Sequence, residues 1–164
     1  MLSLHSLVDS FDQWCYQSSA LSILRDTKLG IPAVQTAHLL GIMTVLGTTT
    51  VMNLRLLNLG YRELSAETFL PQVWTWFRRG LFLTLIAGFI VFLPDPVRYA
   101  QNTSFQVKMA TLAIAIAFQF TVFRKRVHSP AAGSPTAKTI AICGVSMILW
   151  FGVGWCGRAI AFFG

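Results

Sequence analysis

The sequence predicts an all-α integral membrane protein, a four-helix bundle preceded by an amphipathic helix lying in the membrane interface. Three observations carry that expectation. Of 164 residues, 54% are hydrophobic and 12% charged, about half the share of roughly 25% usual in soluble domains. Four long apolar stretches are separated by short connections that hold most of the charge, as membrane spans require. The net charge of +7 is distributed between those stretches instead of forming one patch. That pattern fits membrane topology and argues against a nucleic-acid partner.

Residues 1–28 read as neither signal peptide nor span. They carry Asp9 and Asp12 and reach a first basic residue only at Arg25, whereas a signal peptide opens with a basic region. Leu4, Leu7, Val8, Phe11, Trp14 and Cys15 recur at helical spacing between Ser, Asp and Gln, the pattern of a helix lying flat in the interface. The four-span domain covers residues 31–164. Its first span, about 31–59, opens with Pro32 in the first turn and is expected to stop at Gly60. The second, about 73–93, must begin near Val73, because Gly80 to Leu93 alone is too short to cross. Arg78 and Arg79 would then snorkel to one interface, beside a belt of Trp74, Trp76 and Phe77, and Pro94 and Pro96 would end the helix. The third span, about 105–123, runs into the basic triplet Arg124, Lys125 and Arg126. The fourth, about 139–163, follows a loop marked by Pro130, Gly133 and Pro135.

Orientation follows from the positions of the bases. Arg55, Arg62, Arg78, Arg79, Arg124, Lys125, Arg126 and Lys138 lie on one side, and Arg25, Lys28 and Arg98 on the other. The positive-inside rule places both termini outside the cytoplasm. Cys15, Cys143 and Cys156 form no C-x-x-C pair. Cys143 and Cys156 would stand about 20 Å apart on one helix, beyond disulfide reach.

His38, Lys108 and Arg158 are the ionisable side chains well inside the apolar stretches. At helical rise they lie about 10, 5 and 9 Å from the same membrane face, and intramembrane charge is costly enough to mark a functional site by default. Asp95 and Arg98, in the connection above, could close that layer. The expected arrangement has His38 and Arg158 facing the bundle interior and approaching each other, with Gly41 and Gly154 leaving room. Each residue also has a structural explanation. Lys108 and Arg158 can snorkel, and a lone histidine is commonly hydrogen-bonded to a neighbouring helix. Met43, Met52, Met109 and Met147 read mainly as packing, with Met109 in the layer of His38.

The stretches AHLLGIMTVLGTTTVMNLRLLNLG, FQVKMATLAIAIAFQFTVFRKR and LWFGVGWCGRAIAFFG resemble an uncharacterised family of small four-span bacterial inner-membrane proteins. More distantly they are similar to copper-resistance-D-type membrane domains. The resemblance runs from about Ile31 to the C-terminus and implies fold and compartment, with no assigned activity. His38, Lys108, Gly157 and Arg158 match the family pattern. Asn53 stands where that pattern has an acid before Leu54 and Arg55, which removes the ion-pair partner from this position.

Two classes of function fit. One is a non-catalytic membrane subunit or sensor-like protein whose basic layer binds an anionic group or lipid headgroup, its partners being the bilayer and other membrane proteins or a second copy. The other is an electron-transfer protein holding haem b or quinone, with His38 as axial ligand, Met109 as a second, and Lys108 and Arg158 pairing with propionates or a quinone oxygen. Copper handling would need several Met, His or Cys at one level, and only His38 and Met109 qualify. The absence of a P-loop, of paired intramembrane carboxylates and of a nucleophile beside a base argues against an enzyme. The orientation can be tested with reporter fusions. A C-terminal reporter active only outside the cytoplasm is the expected result, and cytoplasmic activity would overturn the orientation.

Overall fold

The computed structural model of the chain describes residues 13, 17, 18, 22, 26–129, 132 and 134–163, the last five by backbone alone. The expected interfacial helix over residues 1–28 therefore lies almost wholly outside the described residues. Helix α1 spans Gly30–Leu56, α2 Ala66–Phe92 and the short α3 Pro96–Gln101. Helix α4, Thr103–Phe118, continues through a π-helical turn, Gln119–Phe123, into α5, Arg124–Val127, and α6 spans Ala137–Phe163. No strand occurs among the described residues. Four helical segments, Gly30–Leu56, Ala66–Phe92, Thr103–Val127 and Ala137–Arg158, are long and apolar enough to cross a membrane. The fold is an all-α four-helix bundle.

The helix limits follow local chemistry. Helix α1 ends at Leu56, short of the expected Gly60, because Asn58 adopts φ 58° and closes a Schellman motif. Leu59 N–H reaches Leu54 O at 2.9 Å and Asn58 N–H reaches Arg55 O at 3.2 Å, so asparagine takes the left-handed position usually left to glycine. Arg55 is buried and donates through Nε and Nη2 to Leu64 O at 3.2 and 2.9 Å. It ties down the connection between α1 and α2, and its partner is a carbonyl in place of the acid that the family pattern has at position 53. Asn53 donates instead to Thr49 O, at 2.8 Å. Helix α2 starts at Ala66, seven residues before the expected Val73, with Glu67 in its first turn, where an acid favours the positive end of the helix dipole. Asp95 caps α3 by accepting from Arg98 N at 3.2 Å, and Pro96 occupies the first helical position. Asn102 caps α4 through Phe105 N at 3.1 Å.

Helices α1 and α2 pack so closely that glycine is required at the contact. A Cβ on Gly80 would stand 2.7 Å from Thr44 Cγ2 and 3.3 Å from Val45 N. One on Gly41 would strike Thr84 Oγ1 and lie 2.8 Å from Thr84 N. Gly80, Thr84 and Gly88 recur every fourth residue along α2, the small-residue stripe that lets helices approach in lipid. Helices α4 and α6 form the other pair, with Gly157 against the side chain of Lys108.

Aromatic contacts join the two pairs. Trp74 packs edge-on against Phe120 at 5.4 Å and Phe77 against Trp150 at 5.4 Å. At the other end Phe92 stacks on Phe105 at 5.6 Å. Trp74 and Phe77 are thus core residues, and of the expected aromatic belt Trp76 alone lies at the surface. The spacing Leu70, Trp74, Phe77, Leu81 explains this, since it places all four on one face. Cys143 and Cys156 are free thiols.

The four helices are apolar and long enough to cross a membrane, and a slab of about 20 residues, roughly 30 Å, laid across them between the Phe92–Phe105 and Trp74–Phe120 contacts would take in residues near 31–51, 74–94, 104–124 and 143–163. Beyond it, at the end marked by Arg124, helix ends project as a collar with Met52, Leu56, Leu70, Val127 and Ile142 in its core. If Gly80 carries the α1–α2 contact, Gly80→Leu should lower the thermal midpoint in detergent by a clear margin, equivalent to at least about 2 kcal/mol. Gly47, whose Cβ would meet nothing within 4 Å, should tolerate Ala with no loss. Equal effects at the two positions would remove the close-approach argument.

Candidate functional site

His38 and Lys108 are both half-buried and turned into the bundle. Close packing of α1 on α2 lays the His38 ring over Gly88, where a Cβ would lie 2.8 Å from ring Cε1. From there Nδ1 stands 2.9 Å from the backbone oxygen of Thr84. A carbonyl only accepts, so Nδ1–H donates, and in the neutral ring Nε2 keeps its lone pair. No partner engages Nε2 among the described residues. The carbonyl thus fixes both the tautomer and the direction of the ring, an arrangement that ligating histidines commonly use.

Lys108 reaches inward from α4. Its Cε and Nζ lie 3.6 Å from where a Cβ on Gly157 would be, so glycine on α6 makes the space that the stem fills. His38 lies within electrostatic range of Lys108, and Lys108 meets Gly157, which puts groups from α1, α4 and α6 in one neighbourhood. Among the described residues no carboxylate and no hydrogen-bond acceptor engages the ammonium group. The depth is about 6 Å below the edge of the slab for Lys108 and 10 Å for His38.

The other expected members are placed differently. Arg158 is exposed, because it follows Gly157 by one residue and is turned about 100° from the face that meets Lys108. Of the basic side chains in that layer, Lys108 is the one shown turned inward, against Gly157. Met109, one residue past Lys108, is turned away for the same reason and is 45% exposed, so it does not face His38. Asp95 and Arg98 are both exposed and belong to the α3 cap at the rim.

A second polar layer, absent from the sequence expectations, lies deeper in the bundle. Gln119 is 0% exposed, and its Oε1 accepts from Ser146 Oγ and Trp150 Nε1, each at 3.1 Å. The indole can only donate, so the amide orientation is fixed. Gln119 Nε2, Thr49 Oγ1 and Asn53 Oδ1 are buried without hydrogen-bond partners among the described residues. The signal available in the sequence was an amide deep in the third span, answered by Ser146 and Trp150 at i and i+4 on the facing helix. The π-turn begins at Gln119, with Arg124 N–H bonded to Gln119 O, and such turns often accompany functional positions. Among the described residues no group of three or more His, Cys, Asp or Glu is placed to hold a metal ion.

No curated protein and no solved structure matches the chain. A family model does, over residues 11–163. The match reaches into the N-terminal segment that the resemblance seen in the sequence had left out. With a match over nearly its whole length, the chain belongs to DUF6644, a family of unknown function.

Proposed function

We propose that the protein is a non-catalytic, multi-pass protein of the bacterial inner membrane, with both termini outside the cytoplasm, that binds an anionic group at His38 and Lys108. Lys108 carries this reading. Its stem is short of the slab edge by only about 6 Å, within snorkelling range, yet it packs inward against Gly157 towards His38. A charge held there without a carboxylate or acceptor among the described residues is best stabilised by a ligand that brings negative charge. Lys108 supplies the charge. His38 supplies an oriented ring whose Nε2 can accept from a ligand hydroxyl, or donate once protonated. Asp95 and Arg98 stand at the rim, where they meet an approaching ligand before the site does. The protein would act as a subunit or sensor-like component.

A redox reading has one observation in its favour, the Nδ1–H bond from His38 to Thr84 O that leaves Nε2 as a potential axial ligand or quinone contact. With Met109 on the outer surface, a second axial ligand would have to come from elsewhere.

The test uses the full chain in detergent, with octanoate and inorganic phosphate as separate probes. At saturation one of them should raise the melting temperature by several degrees. Lys108→Met should abolish the shift, and Gly88→Ala, which displaces the His38 ring while keeping both side chains, should reduce it. A shift that persists in Lys108→Met, or no shift with either probe, would remove the anion site. A Soret band with reduced-minus-oxidised α bands in the same preparation would establish the haem reading in its place.

A further inference from the structure

The end of the bundle opposite His38 holds exposed basic residues that the site above does not use. Arg78 lies four to five residues inside the slab, about 6 to 8 Å deep by helical rise, at the protein surface. Its neighbour Arg79 is provided for, with its guanidinium 5.1 Å from the centroid of the Trp76 ring. Arg78 has no such partner among the described residues. It follows Trp74 by one helical turn, and Trp74 meets Phe120 on the facing segment. Arg124 follows Phe120 by four residues through the π-turn and is also exposed. The Trp74–Phe120 contact therefore seats one arginine from each helix pair beside the same seam, Arg78 above it and Arg124 below.

The surface on either side of that seam is shaped unequally. Above Arg78, Phe82, Leu85 and Phe89 continue the same face of α2 at i+4, i+7 and i+11, exposed by 68%, 42% and 59%. Above Arg124, the corresponding face of α4 offers Thr121, Ala117 and Ala113, all exposed and all small. Trp74 on Phe120 at one end and Phe92 on Phe105 at the other hold the two segments side by side, so between these contacts a bulky wall on α2 stands beside a low floor on α4, a groove that runs from the two arginines towards the opposite end of the bundle.

We propose that this groove is a binding site for an acidic phospholipid. Its headgroup phosphate would lie between Arg78 and Arg124, and one acyl chain along Ala117 and Ala113 against Phe82 and Phe89. Charge and depth together select the occupant. A guanidinium within the hydrocarbon edge needs an anionic acceptor, and the apolar track above it favours an anion that carries its own hydrocarbon. Bound this way, one lipid would bridge the two helix pairs beside the Trp74–Phe120 contact.

Native mass spectrometry of the full chain, with phosphatidylglycerol and phosphatidylcholine supplied at equal concentration, tests the site. Roughly tenfold preference for phosphatidylglycerol is expected. It should fall to about twofold or less in Arg78→Gln/Arg124→Gln and persist in the control Arg62→Gln/Lys138→Gln. No preference in the wild type, or full preference in the arginine double variant, would overturn the proposal. So would inorganic phosphate displacing the lipid as readily as added phosphatidylglycerol, since the site would then be one for free anions. Should the double variant fail to fold, phosphatidylglycerol with a diazirine in its acyl chain decides the matter on the wild type. Labelling of residues 82–89 and 113–117 supports the groove, and labelling confined to other surfaces excludes it.

Discussion

The backbone approach of α1 and α2 is the constraint on which the rest of the structure depends. In lipid, apolar side chains gain nothing by leaving one hydrocarbon for another, so helices associate through close van der Waals contact and occasional hydrogen bonds. Gly41, Gly80 and Gly88 provide that contact. A methyl group at any of them would stand within 2.8 Å of an atom on the partner helix. With the register fixed this tightly, His38 is carried to Gly88 and its Nδ1 to the carbonyl of Thr84. A looser pair would leave the ring free to choose either tautomer and either direction. The glycine seam therefore does for the imidazole what a buried carboxylate does in many soluble proteins.

Which residues lie on which span was legible in the sequence, and the direction of each was not. Counting at 1.5 Å per residue placed His38, Lys108 and Arg158 in one layer, because rise is the same for every helix. Azimuth depends on which face each helix turns inward, and that is decided by partners far away in sequence. Arg158 and Met109 share the layer but are each one residue past the inward position, so they turn outward while Gly157 and Lys108 meet. The four spans were legible because hydropathy needs no partner. Their ends were less so. Glycine at position 60 is the stronger stop signal in composition, but Asn58 reaches the left-handed region first and closes the helix with two backbone bonds. The start of α2 was hidden by Gln72, Arg78 and Arg79, which interrupt the apolar pattern though the helix continues through all three.

The polar layer around Gln119 was hidden for a different reason. One amide in an apolar span carries no periodicity, and its significance emerges only when Ser146 and Trp150 are seen donating to it across the bundle. In hydrocarbon an unpaired amide group costs more than it would near water, so the acceptance of two donors by Oε1 narrows the ways in which α4 and α6 can be rotated against each other. Gln119 thus acts on specificity of packing more than on its strength.

Two kinds of force hold the two ends of this bundle, and the difference bears on where a ligand can enter. The collar beyond the slab at the Arg124 end packs Met52, Leu56, Leu70 and Val127 to 2% exposure or less, as expected where water drives apolar groups together. Above Leu112 and Trp150, towards the opposite end, Gly41, Ala87 and Pro96 alone are fully buried among the described residues. That half is held by glycine contacts and by the Phe92–Phe105 stack, without a dense core between the helix pairs. His38 and Lys108 lie in it. A ligand that separates the pairs locally would disturb few buried contacts there, whereas the same displacement near Trp74 and Phe77 would break the aromatic cluster and expose the collar to water. The site and the rigid end are at opposite faces because the same four helices cannot be tightly packed and accessible at one level.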